Sequence, residues 1–452
     1  MNVFKQCMAV LIAAIGAGGA GVAAAQGSFV PTAAMTTPRA HQGSVVLADG
    51  RVFQYGGISA MGDILASAEL YDPASGTYTA TADATDARMR PTTVGLADGR
   101  VLVTGGRGGH EGSVIFDTVE LYDPATGTFG PGGSVATRRY VGIVARLPDG
   151  RVLLTGGFNF TDGTLGSSEI YDPATQTATP TGSLVHPRDT YGHALTLADG
   201  RIMIVGGYND DGPLATVEIY DPAAGTFALT GDMPDARGDH CALVLADGRV
   251  LVIGGFGSDW NYAMDAFLWD PATGQFRTAG RMAYPRANAH ATLLADGRVL
   301  VAGGSTTGGS DLYEPRAELW DPASETFSET GAMITARSGG RAERLGDGRV
   351  LYMGGWFGDG QNPTGDSELF VPAGRDDLRR RLRGLIAPYA ATGLPPLRAG
   401  APRPPNAISV AARRPTSGAE AAPRIGPRGA TPAAMAGGSA LPLGHRDDPR
   451  RP

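Results

Sequence analysis

Seven times along the chain the triplet Asp-Gly-Arg is followed by four mostly apolar residues and then Gly-Gly. The pairs are Gly56-Gly57, Gly105-Gly106, Gly156-Gly157, Gly206-Gly207, Gly254-Gly255, Gly303-Gly304 and Gly354-Gly355, about 50 residues apart. Seven such periods account for the middle of a 452-residue chain with little left over. A period of that length means one small structural unit that cannot bury its apolar face alone and must stack on the next.

Each part of the unit has a physical role. Asp98-Gly99 suits a two-residue hairpin turn, whose central positions both take positive φ. Val101-Leu102-Val103 is apolar on both faces, as a strand sandwiched between neighbours must be. Gly105-Gly106 ends that strand where the backbone turns sharply or approaches another segment. After a variable loop, Glu120-Leu121-Tyr122-Asp123-Pro124 reads as a third strand stopped by proline. Thr126-Gly127-Thr128-Phe129 then turns into a fourth. The unit is four antiparallel strands, and no helical period interrupts the series. The 68 glycines and 32 prolines supply turns and show no Gly-X-Y register of a collagen.

The Gly-Gly pairs and the aromatics downstream of them (Tyr71, Tyr122, Tyr171, Tyr220, Trp269 and Trp320) resemble the kelch-repeat family over residues 27 to about 372. The resemblance implies an all-β, seven-bladed kelch-type β-propeller. It implies little about function, because one fold hosts many activities. The seventh unit, ending Leu369-Phe370-Val371-Pro372, has no fourth strand after it, whereas GSFVPTAAMTTPRAH at 27–41 looks like a fourth strand without its first three. The simplest ring pairs the N-terminal strand into the last unit and so removes an open edge.

Flanking segments set the context. Residues 1–25, with Lys5, an apolar run from Met8 to Ile15 and Ala23-Ala24-Ala25, read as a signal peptide, and a secreted or periplasmic location follows. Cys7 precedes the apolar run, so only Cys241 remains in the mature chain, which excludes an internal disulfide and a cysteine zinc site. Residues 375–452 carry 14 Arg against 5 acidic residues, a net of +9 in a chain of net −7, so the body 26–374 is acidic. An acidic body argues against nucleic acid as its partner. The tail is rich in Pro, Ala and Arg and is expected to be mostly disordered. A short helix at 376–389, with Leu378, Leu382, Leu385 and Ile386 on one face, would dock on the propeller, fray, or meet an anionic membrane surface.

Three sets of residues are candidates for function. One is the loops after the second strands, which vary in length and carry Trp260 and Trp356, able to stack on sugar or anchor a protein, or to pack on neighbouring loops. The second is an arginine per unit: Arg39, Arg88, Arg139, Arg188, Arg237, Arg286 and Arg337. These would ring a channel mouth and hold an anion, or pair with Glu69, Glu120, Glu169, Glu218, Glu318 and Glu368. Unit five has Phe267 in place of the glutamate, which leaves Arg237 free unless Asp265 substitutes. The third set lies at the start of the innermost strands. Eight residues before each Asp of Asp-Gly stand His41, Arg90, Val141, Tyr191, Asp239, Asn288 and Gly339, and six before stand Gly43, Thr92, Ile143, His193, Cys241, His290 and Arg341. Tyr191, His193, His240 and His290 are the candidate proton-transfer groups.

Copper-radical oxidases have a kelch-like propeller, and His240-Cys241 looks like the place of their cysteine. The crosslinking tyrosine is then expected where this chain has Asn288, and a Tyr-His pair where it has Ser338-Gly339-Gly340-Arg341. That departure removes the activity, and no cofactor or metal is expected. The sequence points to a monomeric binding scaffold for an extracellular glycan or protein. The alternative is an enzyme acting on an acidic sugar (epimerase, mutarotase or lyase) in the central channel.

Overall fold

The second strand of every unit is buried along its whole length: Val52–Tyr55, Val101–Thr104, Val152–Thr155, Ile202–Val205, Val250–Ile253, Val299–Ala302 and Val350–Met353. Their side chains point to both faces because each sheet has a neighbour on both sides. The computed structural model describes residues 26–189, 193–306, 312–358, 360 and 362–373, apart from the side chains of Glu111 and His193. The expected leader at 1–25, the tail at 375–452 with its helix at 376–389, and Tyr191 lie outside the described residues.

The protein is all-β, with one 3-10 turn at His110–Gly112 among the described residues. The strands make five four-stranded sheets and one eight-stranded sheet, in which two four-stranded units meet at a single parallel bridge, Ser134 to Thr177. Within a unit all pairings are antiparallel, as in Gly43–Val46, Val52–Tyr55, Ala68–Asp72 and Thr77–Ala80. The innermost strands are Gly43–Val46, Thr92–Gly95, Ile143–Arg146, His193–Thr196, Cys241–Val244, His290–Leu293 and Arg341–Arg344. The sheet containing Arg341–Arg344 takes its outermost strand from the N-terminus: Gly27–Pro31 pairs with Ser367–Pro372 in the register Gly27 to Pro372 through Pro31 to Glu368.

The core is divided among the faces between successive sheets. One apolar cluster joins Met203 and Val217 to Val252 and Trp269, and another joins Leu251 and Leu268 to Val301 and Trp320. The cluster holding Leu351, Met353 and Leu369 also holds Val52 and Tyr71, three hundred residues earlier in the chain. Each such fully buried side chain stabilises the fold by about 1.5–3 kcal/mol. Polar groups tie the same faces. The hydroxyls of Tyr71, Tyr122 and Tyr220 lie 2.8–3.0 Å from Thr32, Thr81 and Thr181, each on or just after the outer strand of the preceding sheet.

Two motifs differ from the sequence expectation in informative ways. In the Asp-Gly-Arg hairpin only the glycine has positive φ, +90° at Gly99. The loop is three residues long: Leu96 N donates to Arg100 O at 2.8 Å and Gly99 N to Leu96 O at 3.2 Å. This is a turn followed by a left-handed glycine. Asp98 accepts from the backbone N and Nε of Arg100 at 3.0 and 2.9 Å, which is why arginine follows the glycine. In Gly-Gly both residues have positive φ, and the second donates to the carbonyl of the next unit's arginine: Gly57 to Arg88, Gly106 to Arg139, and finally Gly355 to Arg39. A Cβ on Gly57 would stand 2.5 Å from Ala40 O.

Candidate functional site

The arginine repeated once per unit sits just before an innermost strand, and its guanidinium turns inward to the loop and third strand of its own sheet. Arg188 Nη1 donates to the carbonyls of Gly206 and Thr216 at 2.9 Å, and Nη2 to Glu218 Oε1 at 2.6 Å. Glu218 also accepts from the backbone N of Val185 and His186. The same buried pair recurs as Arg39–Glu69, Arg139–Glu169, Arg286–Glu318 and Arg337–Glu368, and in looser form as Arg88–Glu120 at 3.5 Å. Burial lowers the Arg39, Arg188 and Arg337 guanidinium pKa, and the facing glutamates oppose that shift. Of the two readings of Arg39, Arg188 and Arg337, the structure shows the pairing with glutamate, and their guanidinium groups are engaged there and not in holding a ligand. Arg237 is also buried, but its partner is Asp235, with Ala236 O at 2.7 Å and the Phe267 ring 4.5 Å away. Asp265 pairs with Arg281 instead.

The residue two places after that arginine takes the left-handed conformation in six units: His41, Arg90, Val141, Asp239, Asn288 and Gly339, at φ +49° to +66°. Tyr191 holds the seventh position, outside the described residues. The conformation has a purpose. Backbone N–H groups donate across units, Arg90 to His41 O, His41 to Gly339 O and Asn288 to Asp239 O, each at 2.9 Å. Glycine, asparagine and aspartate accept this geometry readily, whereas arginine and valine are strained by it, by roughly 1 kcal/mol or more.

These residues line a cavity of about 440 Å³ that also reaches Ser44, His240, His290, Arg341 and Glu343. His41, Asp239, His240, Asn288 and His290, proposed from sequence, thus come together. His193 begins an innermost strand, and its side chain is not described. At the wall nearest units seven, one and two, His41 Nε2 lies 3.0 Å from Trp356 Nε1 and 3.2 Å from Arg90 Nη2. An indole N–H only donates, so Nε2 accepts, which makes the imidazole neutral with its proton on Nδ1. Trp356 is only 6% exposed and braces His41, so of its two expected roles the structure shows packing and not an exposed anchor. Sequence reasoning undervalued Arg90, Arg341, Ser44 and Glu343, although Arg90 and Arg341 stand in the two tabulated positions. A second, wider cavity of about 1260 Å³ opens at the other ends of the innermost strands, among Val46, Leu96, Leu147 and Leu197.

Several loops after the second strands are paired within themselves. Arg107–Gly108 pairs with Val114–Ile115, Phe158–Asn159 with Gly163–Thr164, and Tyr208–Asn209 with Gly212–Pro213. Trp260 is 37% exposed, at φ +59°, and stacks on Tyr208 with ring centroids 5.5 Å apart. Tyr208 in turn lies flat against Gly238, where a Cβ would meet its ring at 2.0 Å. Eight of the eleven exposed large apolar side chains among the described residues are on this face, in loops after second strands or before innermost ones: Met61, Val114, Phe160, Val185, Trp260, Leu312, Ile334 and Phe357.

The Kelch motif model matches residues 88–131 and 189–234, each running from the framework arginine or its neighbour into the following outer-strand region. The chain carries kelch motifs. No curated protein matches it. Among solved structures it is similar to a fungal alcohol oxidase of the AA5 family, in complex with copper, at 19% identity over 78% of each chain and a TM-score of 0.62. That likeness is one of fold. The kelch chain's own residues do not fit a copper-radical centre: the Cys241 thiol donates to Ala289 O at 3.1 Å, and Asn288 next to it has no phenol to crosslink. Among the described residues no three His, Cys, Asp or Glu side chains gather as metal ligands.

Proposed function

We propose that the chain is a seven-bladed kelch-type propeller, closed by its N-terminal strand and exported, that acts as a binding scaffold for an extracellular protein through its loop face. Seven interfaces, including the Val52–Leu351 cluster and the Gly355 to Arg39 hydrogen bond, support the closed ring. One observation carries the functional reading: the exposed apolar side chains are concentrated on one face of the molecule. Apolar side chains gathered on one face in this way suit an interaction site. Five of the eight are aliphatic, Met61, Val114, Val185, Leu312 and Ile334, and aliphatic groups suit a protein surface better than a sugar ring, which stacks on aromatic faces. Pairing within the loops of Val114, Phe160 and Phe357 lowers the ordering cost of binding there.

The test is site-specific crosslinking in the producing cell. A photoreactive residue at Phe160, on the loop face, is expected to capture one discrete partner. The same residue at Leu229, on an outer strand, is expected to capture none. Equal capture at both positions, or none at Phe160 with glycan-array binding instead, would overturn the protein-partner reading.

A further inference from the structure

The 440 Å³ cavity has a charged lining that loop-face docking does not use. Its unusual member is Arg341. Other units put Gly43, Thr92, Ile143, His193, Cys241 or His290 at this place on the innermost strand. The framework arginines each meet a carboxylate, but the Arg341 guanidinium makes no hydrogen bond or ion pair to the described residues. Burial lowers its pKa, Glu343 opposes that shift, and the nearby Arg90 cation adds to it. Two guanidinium groups therefore face one small volume. The Glu343 carboxyl, pushed up by burial, already accepts from Ser44 Oγ at 2.5 Å. Arg90 is placed on purpose: it keeps a left-handed backbone that disfavours arginine, and its Nη2 is directed by the neutral His41, itself braced by Trp356. The cavity is also lined by Asp239, Asn288 and His290, which offer both donors and acceptors.

We propose that this axial cavity binds a small organic carboxylate, with Arg341 and Arg90 holding the carboxylate group and the Asp239, Asn288 and His290 wall meeting the rest of the ligand. Guanidinium groups match a carboxylate in charge and geometry. The volume suits a molecule the size of one hexuronic acid or one amino acid. The site is separate from the loop face, and its success or failure does not decide the partner reading.

The experiment is calorimetric titration of the full chain with galacturonate, serine, neutral galactose and sulfate. At least one of galacturonate and serine is expected to bind, and galactose not. Which of the two binds tells whether Asp239, Asn288 and His290 read hydroxyls or an ammonium. Arg341→Gln is expected to weaken binding roughly tenfold to a hundredfold, with Arg90→Gln acting the same way should the first variant fold poorly. Phe160→Ser is expected to leave it unchanged. No binding by either carboxylate, binding by sulfate alone, or unchanged affinity in both arginine variants would overturn the proposal.

Discussion

Glu218 shows how much one side chain holds. It is fully buried, accepts two backbone N–H groups before the innermost strand, and faces the Arg188 guanidinium. Glu218→Ala leaves that cation buried and unpaired, and is expected to lower unfolding free energy by about 3–5 kcal/mol in urea melts. Asp235→Ala also takes the carboxylate from a buried guanidinium, Arg237, but Asp235 stands in a part-exposed position that water can fill, so the expected loss is smaller than for Glu218→Ala. Cys241 gives a second prediction. Burial pushes its thiol up to about 12, so almost no thiolate exists at pH 8. Alkylation of the Cys241 peptide, followed by mass spectrometry, is expected only after denaturation. Labelling of the native protein at pH 8 would contradict that environment. The sequence showed the arginine and glutamate columns, hence most of these pairs. It also held the answer for Arg237, since Asp235-Ala236-Arg237 repeats the spacing of Asp86-Ala87-Arg88, where Asp86 also pairs with its arginine. The missing glutamate drew attention to Asp265, and the nearer residue was overlooked.

At the scale of elements, short apolar runs and punctuating glycines and prolines were enough to place the strands of each unit, because these signals are local. What lies between units was not legible. Whether Trp356 faced solvent or packed on a neighbour could not be read from its loop, because its indole bonds to His41, 315 residues away in sequence. The left-handed belt was equally hidden: the spacing of His41, Arg90, Asp239 and Asn288 was visible, but the cross-unit hydrogen bonds that require positive φ were not. Glycine substitutions separate the two kinds of constraint. Gly50 and Gly57 both have positive φ, yet a Cβ on Gly50 meets nothing within 4 Å and one on Gly57 meets Ala40 O at 2.5 Å. Gly50→Ala is expected to cost roughly 1 kcal/mol, and Gly57→Ala clearly more, because the backbone between two units must shift. Equal melting temperatures for the two variants would argue against close approach at Gly-Gly.

For the whole molecule, the loop face and the axial cavity both depend on one ring being closed. A cavity whose wall runs from Arg341 and Glu343 to Ser44 and Arg90 exists only if the last unit meets the first. The strand Gly27–Pro31 secures that meeting. Phe29 packs on Phe370 and Tyr352 at centroid distances of 5.2 and 5.5 Å, and Gly27 leaves room for the Phe370 ring, whose nearest atom would be 2.2 Å from a Cβ there. The spare strand was readable from a count of repeats. Its register was not, because Gly27 and Pro372 are far apart in sequence and meet only in the folded sheet. Removing residues 26–35 and following urea unfolding tests this account most directly. The account predicts a large fall in the unfolding midpoint, several kcal/mol of stability, from loss of the pairing and of the Phe29 contacts together. An unchanged midpoint and slope would contradict it.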